Sequence, residues 1–306
     1  MLEKYILKTP LIQLRGSAEV ENVFMKPENL QIFGSYKIRG VASAVSSANR
    51  QKLNAGIETI SAGNMAQAVA FAANILRLRC RIYIPESAPE IKKIAVRKLG
   101  VEVIERSFAE IWNMVKDYSK GPHEGLLIHP VFTEALLDGY GNIADEIVDD
   151  MPGVDAVVIP FGVGGLTLGV ARKLRQLKPD VKIYVCEPAG AAPVFSAFES
   201  GRSVQIERKA SFVDAIGTPE ILPQIFHEVR DLVCESIRVS EEDAKLAIRE
   251  VFLNHKMICE GAAGVSLAAA LMISKRNLNK KIVCILSGGN ISAKTLSEIM
   301  EHSNTP

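Results

Sequence analysis

Ala156-Val157-Val158-Ile159-Pro160-Phe161-Gly162-Val163-Gly164-Gly165-Leu166 is the stretch whose reading decides the fold. Ala156–Pro160 is a short, unbroken apolar run rich in β-branched residues, the mark of a strand buried on both faces. A glycine-rich turn follows, and from Leu166 to Leu177 the apolar residues recur with the 3.6-residue period of a helix. The same strand–turn–helix grammar extends outward in both directions. Strands are predicted at Thr59–Ser61, Arg81–Pro85, Val101–Glu105, Lys182–Cys186 and Ile282–Leu286, and helices at Ala66–Leu76 and Ile91–Leu99. Alternation of this kind predicts an α/β protein with two domains, built on parallel twisted sheets flanked by helices. With 306 residues there is enough chain for two lobes. The segment from about Gln51 to about His129 reads as a compact βαβα unit. The expected division is therefore a large domain of residues 1–50 and 130–306 and a small inserted domain of residues 51–129.

In parallel α/β sheets ligands bind beyond the carboxyl ends of the strands, so the loops after strands are where chemistry is sought. Four loops of this kind stand out. Gly34-Ser35-Tyr36-Lys37-Ile38-Arg39-Gly40 sets a lysine at the start of a helix. Partial desolvation and nearby helix N-termini favour a neutral amine there, one able to form a Schiff base; taken alone, it also reads as an ordinary surface lysine. Ser61-Ala62-Gly63-Asn64-Met65-Ala66-Gln67 opens a helix with small residues and free N–H groups suited to a carboxylate, or simply caps that helix. Pro160–Leu166 can form an anion nest for a phosphate. As a dinucleotide fingerprint it is poor, because Leu166 and Thr167 stand where the third glycine belongs and only Glu187 is available as an acidic ribose partner. Leu286-Ser287-Gly288-Gly289-Asn290 follows the last strand and presents a hydroxyl that can meet a ring nitrogen, or is a plain glycine-rich turn.

Composition narrows the field. The 36 basic residues balance the 35 acidic ones, net +1, which gives no reason to expect nucleic acid or membrane as a partner. No apolar run approaches the roughly 18–20 residues of a membrane span, and Met1-Leu2-Glu3-Lys4-Tyr5 does not open a signal peptide, so a cytoplasmic protein is expected. Cys80, Cys186, Cys234, Cys259 and Cys284 form no CxxC pair, and the histidines have no ligand spacing, so neither disulfides nor a metal site is expected.

Each loop alone is a weak signal; their joint order is not. Ser-x-Lys-x-Arg-Gly, then Ser-Ala-Gly-Asn-x-x-Gln, then a glycine-rich phosphate loop, then Ser-Gly-Gly-Asn resembles the threonine/serine dehydratase group of pyridoxal-phosphate (PLP) enzymes, of the tryptophan-synthase-β-like fold type II. The resemblance runs nearly end to end. It takes in Thr9-Pro10-Leu11, Lys26-Pro27-Glu28-Asn29, Gly139-Tyr140-Gly141-Asn142-Ile143-Ala144 and Cys259-Glu260-Gly261-Ala262-Ala263-Gly264. It implies that Lys37 carries the cofactor and later moves the Cα proton. It implies that Asn64 bonds the phenolic oxygen of the ring, that Gly162, Val163, Gly164, Gly165 and Leu166 hold the phosphate through backbone N–H groups, and that Ser287 faces the pyridine nitrogen. Ser61, Ala62, Asn64, Met65 and Gln67 would form the substrate loop. A neutral serine at the ring nitrogen makes a weaker electron sink than the carboxylate of aminotransferases, which favours expulsion of a β-leaving group. The implied reaction is β-elimination on a small hydroxy-amino acid, L-threonine or L-serine, to a 2-oxo acid and ammonia, in a homodimer.

Several residues depart from the family pattern. Met65 stands where histidine is usual, Val163 where glycine is common, and Asp214-Ala215-Ile216-Gly217 replaces an Asp-Gly pair. Ala62 stands where serine racemases of the group have a serine acting as acid/base on the opposite face, which ranks dehydratase above racemase. Glu187 matches one ligand of a cation site found in some relatives, but Pro193 occupies the place of another, so no metal is expected. Pro306 follows soon after the Ser287 helix, so feedback control through the regulatory extension of biosynthetic threonine dehydratases is not expected. Racemisation, another fold type II reaction, or PLP binding with weak turnover remain as alternatives.

Overall fold

The structure is a computed structural model that describes residues 2–15, 20–88, 90–117, 123–276 and 279–301. Its strands are β1 (Ile12–Gln13), β2 (Val23–Lys26), β3 (Ile57–Ile60), β4 (Cys80–Pro85), β5 (Glu102–Arg106), β6 (Leu126–Leu127), β7 (Ala156–Pro160), β8 (Lys182–Pro188), β9 (Glu235–Val239) and β10 (Ile282–Ile285). Its α-helices are α1 (Lys37–Ser46), α2 (Arg50–Asn54), α3 (Asn64–Leu76), α4 (Glu90–Arg97), α5 (Phe108–Lys116), α6 (Glu134–Asp150), α7 (Gly165–Leu177), α8 (Pro193–Ser200), α9 (Pro223–Leu232), α10 (Glu241–His255), α11 (Gly261–Arg276) and α12 (Ala293–Glu301). No described helix is long and apolar enough to cross a membrane.

Contacts divide the chain into two compact units. The first is Met1–Leu7 with Tyr36–Tyr140; the second is Lys8–Ser35 with Gly141–Pro306. The first unit contains a four-stranded sheet ordered β5-β4-β3-β6, parallel throughout. β3 is buried along its whole length, paired with β4 at all four residues and with β6 at Ile57 and Glu58, and Glu58 is satisfied by the Tyr83 hydroxyl and the Glu124 and Gly125 N–H groups. Alanines cover the inner face of α3 (Ala66, Ala70, Ala73), which lets α1 pack closely on it.

The second unit contains a six-stranded sheet ordered β1-β2-β10-β7-β8-β9, parallel except for the β1–β2 pair at one edge. β10 and β7 are buried at every position, with Ile282 opposite Ala156 and Val283 opposite Val157. α11 is buried at every position from Gly261 to Ala270, among α10, β7, β8 and β10, so this part belongs to the core rather than to an amphipathic shell.

The parallel α/β class follows the sequence pattern closely. β7 and α7 fall where the glycine-rich stretch places them, and the other expected strands are found within a residue or two of the expected limits. Four short strands were not expected. β9 carries Glu235 and Arg238 on exposed positions at the sheet edge, so its apolar run is broken, and β1, β2 and β6 are too short to signal themselves. One expectation needs correction: the Lys37 loop does not lead directly from a strand. Two 3-10 turns, Glu28–Leu30 and Ile32–Gly34, lie between β2 and α1, because Pro27 denies the ladder an N–H donor just after Lys26.

Candidate active site

In the first unit, Lys37 is the first residue of α1, preceded by the buried Tyr36. Its Nζ donates a hydrogen bond to the Tyr36 hydroxyl. The same nitrogen lies 4.3 Å from the centroid of the Tyr36 ring and 5.8 Å from that of Tyr140. The two rings meet edge to face, with centroids 4.8 Å apart. Tyr140 is fully buried, and its hydroxyl reaches the Met65 sulfur at 4.0 Å. Burial, with the Tyr36 oxygen nearby, pushes the Tyr140 phenol well above its ordinary value, so it stays neutral.

Two glycines allow this grouping. A Cβ on Gly40 would lie 2.5 Å from Tyr140 Cε1, and a Cβ on Gly139 would lie 2.5 Å from the Arg39 carbonyl oxygen. The crossing of α1 and the first turns of α6 is therefore closer than any side chain permits. Arg39 is buried, with its guanidinium donating to the Leu7 carbonyl at 2.9 Å.

The loop after β3 is tied down at both ends. The Ser61 N–H donates to the Tyr83 carbonyl, and the Gly63 N–H donates to Ser61 Oγ at 3.1 Å. Asn64 is the first residue of α3, and Gly63 precedes it with no side-chain cap. The first-turn N–H groups of α3 thus have no acceptor within the helix, and face outward with its positive dipole end. Ser61, Ala62, Asn64 and Gln67 are partly exposed beside them, whereas Met65 is buried at 3%.

In the second unit, the turn after β7 carries Gly162, Val163 and Gly164 into α7. Gly164 has φ +106°, a conformation that side chains rarely adopt, and a Cβ there would come within 2.4 Å of Ile225 Cδ1, so a substitution is strained. The first turn of α7, at Gly165, Leu166 and Thr167, has N–H groups without helical acceptors. It also holds a buried hydroxyl, Thr167 Oγ1, with no hydrogen-bond partner. Thr218 Oγ1 donates to the Gly162 carbonyl, and the Ala215 carbonyl lies beneath Gly162. Ser287 is buried just past β10. Its loop is pinned by the Gly289 N–H on the Gly34 carbonyl, by the Glu260 N–H on the Gly288 carbonyl, and by Asn290 Nδ2 on the Phe33 carbonyl.

Residues 2–288 match the model of the family described as "Pyridoxal-phosphate dependent enzyme". The chain belongs to that family. An L-threonine ammonia-lyase of Geobacter sulfurreducens is 36% identical over 304 residues, covering 98% of this chain and 75% of that protein. The solved structure of the processed form of threonine deaminase isoform 2 from Solanum lycopersicum superposes with a TM-score of 0.87 at 29% identity, over 99% of this chain and 90% of that one. Serine racemase from Dictyostelium discoideum superposes at 0.82, with 30% identity and 95% of each chain covered.

The residues present fit the cofactor that the family name implies. The first unit supplies an amine, Lys37 Nζ, held at a helix start. The second supplies a side-chain-free turn with φ +106° at Gly164, opening a helix of 13 residues and carrying an orphaned hydroxyl in its first turn, which is the chemistry a phosphate needs. Two placements could not be read from the chain. Glu187, at the end of β8, is fully buried and accepts hydrogen bonds from the Val194 and Phe195 N–H groups of α8 and from the Ser236 hydroxyl. Burial pushes its pKa up to about 7 despite these bonds. Tyr36 and Tyr140 were both visible inside motifs, but nothing in either motif links them; the signal lay in the two glycines, Gly40 and Gly139, each one residue-step from an aromatic contact.

Proposed function

We propose that the protein is a PLP-dependent ammonia-lyase that removes the β-hydroxyl of a small hydroxy-amino acid, L-threonine or L-serine, to give a 2-oxo acid and ammonia. One observation carries the reading: 36% identity, across 98% of the chain, to a protein named L-threonine ammonia-lyase. When bound, the cofactor supplies an electron-withdrawing ring that acidifies the substrate Cα–H. The protein's own groups do the rest. Lys37 Nζ takes the Cα proton and is the general base of the reaction. The N–H groups of Gly162, Val163, Gly164, Gly165 and Leu166 hold the phosphate, Asn64 bonds the phenolic oxygen, and Ser287 faces the ring nitrogen as an uncharged partner. Ser61, Ala62, Asn64 and Gln67, with the first-turn N–H groups of α3, bind the substrate carboxylate. Met65 shapes this loop from below, through its contact with Tyr140.

Ala62 has no proton to give, so a proton removed by Lys37 is not returned from the opposite face. That favours elimination over racemisation. The reading also takes the protein to be a cytoplasmic homodimer. In favour of the dimer, α10 exposes Leu246 and Leu253 seven residues apart on one face, a surface that a second copy would cover. The test is a panel of serine, threonine and 3-hydroxyaspartate scored for 2-oxo acid. Keto acid from L-threonine or L-serine is expected; inversion of the amino acid without keto acid overturns the reading.

A further inference from the structure

Lys37 has a neighbourhood more specific than a cofactor anchor requires. Its Nζ donates to one tyrosine hydroxyl and lies 4.3 and 5.8 Å from the centroids of two tyrosine rings. A neutral amine gains little from such neighbours. An ammonium gains from a hydroxyl that accepts its N–H and from a nearby electron-rich ring. Within the first unit, the titratable groups set against Lys37 include Tyr36, beside it at the start of α1, and Tyr140 from α6. α3 contributes Met65, an uncharged group, to the far side of Tyr140. Arg39 directs its guanidinium to the Leu7 carbonyl.

We propose that Tyr36 is a positioning residue that stabilises positive charge on Lys37 Nζ, with Tyr140 braced behind it, so that the lysine can hold the proton it takes from the substrate. The inference rests on the function proposed above and deepens it. The Cα–H bond breaks and its proton passes to Nζ, which turns a neutral amine into a cation in a partly buried setting. Without compensation, burial would oppose that charge and slow the transfer. The Tyr36 hydroxyl and the two rings offset the desolvation where the charge appears. Tyr140 remains a neutral phenol because burial holds its proton, so it adds a nearby electron-rich ring and no competing charge. The glycine crossing at Gly40 and Gly139 brings Tyr140 into this position. The pair is thus assembled by the packing of α1 against α6 rather than by the Lys37 loop alone.

The test uses the loaded enzyme and two variants. Tyr36→Phe keeps the ring and its edge-to-face contact but removes the acceptor. Tyr36→Leu removes both. The visible absorption of the bound cofactor, titrated against pH, reports the protonation of the nitrogen it shares with Lys37. The midpoint should fall by about half a unit in Tyr36→Phe and by about one unit, a tenfold loss of proton affinity, in Tyr36→Leu. The acid limb of the kcat profile should move the same way. A midpoint unchanged in both variants, or one that rises, overturns the inference. So does a loss of cofactor occupancy or thermal stability with no shift in midpoint, because that is what a purely structural role predicts. Borohydride treatment of the wild type separates this failure from a failure of the proposed function. If the label sits on Lys37 and the midpoint does not move, only the role of Tyr36 is lost; if the label is absent from Lys37, the proposed function falls with it.

Discussion

On the proposed reading, the two units supply groups of different kinds. The first works through side chains: an amine and two phenols, brought together by helices that touch at Gly40 and Gly139. The second works through backbone: a turn whose N–H groups open α7 and whose geometry depends on a glycine at φ +106°. Chemistry held in side chains depends on residue identity, and chemistry held in backbone depends on φ and on empty space. The two regions should therefore respond differently to substitution.

The largest effect is expected at Lys37. Lys37→Ala removes the general base, so turnover should fall by about 10³-fold or more, and the protein should lose its covalent hold on the cofactor. Steady-state keto-acid assays and mass spectrometry after reduction read both losses. The backbone side of the comparison is probed at Gly164. Gly164→Ala forces a Cβ towards Ile225 and strains a positive φ, and should cost about 1–3 kcal/mol of stability. It should also weaken cofactor binding by about tenfold or more, since about 1.4 kcal/mol is tenfold. Val163→Ala, next to it, changes a side chain that the cradle does not use and should leave affinity within about twofold. If Val163→Ala proved as damaging as Gly164→Ala, the backbone account of the cradle would fail. Gly40→Ala should cost about 1–3 kcal/mol by separating α1 from α6. It should also disturb the spectrum of the bound cofactor more than a cavity-neutral change of equal cost elsewhere.

The smallest effect is a contrast in pH dependence. His129, in the first unit, is buried. Its Nδ1 accepts from the Val131 and Phe132 N–H groups and its Nε2 donates to the Val115 carbonyl, an arrangement that requires the neutral ring. Burial lowers its pKa from 6.5 to about 4, so the unfolded chain binds the extra proton, and the stability His129 contributes above pH 6.5 is lost as pH falls towards 4. Glu187, in the second unit, is raised from 4.5 to about 7, so there the folded chain binds the extra proton, and stability is lost as pH rises from 4.5 to 7. Urea unfolding at pH 5 and pH 8 should show Glu187→Gln gaining on the wild type by roughly 2–3 kcal/mol as pH rises. His129→Asn should gain on the wild type as pH falls. Parallel curves for either variant would remove its residue from the account.

The fold was largely legible because parallel strands buried on both faces are written as apolar runs, of which Ala156–Pro160 and Ile282–Ile285 are examples. The glycine turn after β7 was legible because Gly164 adopts φ +106°, a conformation that favours glycine and so leaves a mark in the sequence. The partnership of Tyr36 with Tyr140 was not, since it depends on α6 crossing α1, a contact between residues far apart in the chain. Met65 was read as a polar loss in the substrate loop; in the fold it is buried and turned to the Tyr140 hydroxyl, because the second residue of α3 faces inward. Glu187 was read against a cation site in relatives. Here three donors from α8 and Ser236 surround its carboxylate, a pattern that appears only once α8 is seen to start beside β8.

The most direct measurement is to reduce the loaded wild-type enzyme with borohydride, digest it, and locate the added phosphopyridoxyl mass. The label is predicted on the peptide carrying Lys37, with none on that peptide in Lys37→Ala. A label on any other lysine, or none on the wild type, would contradict the account.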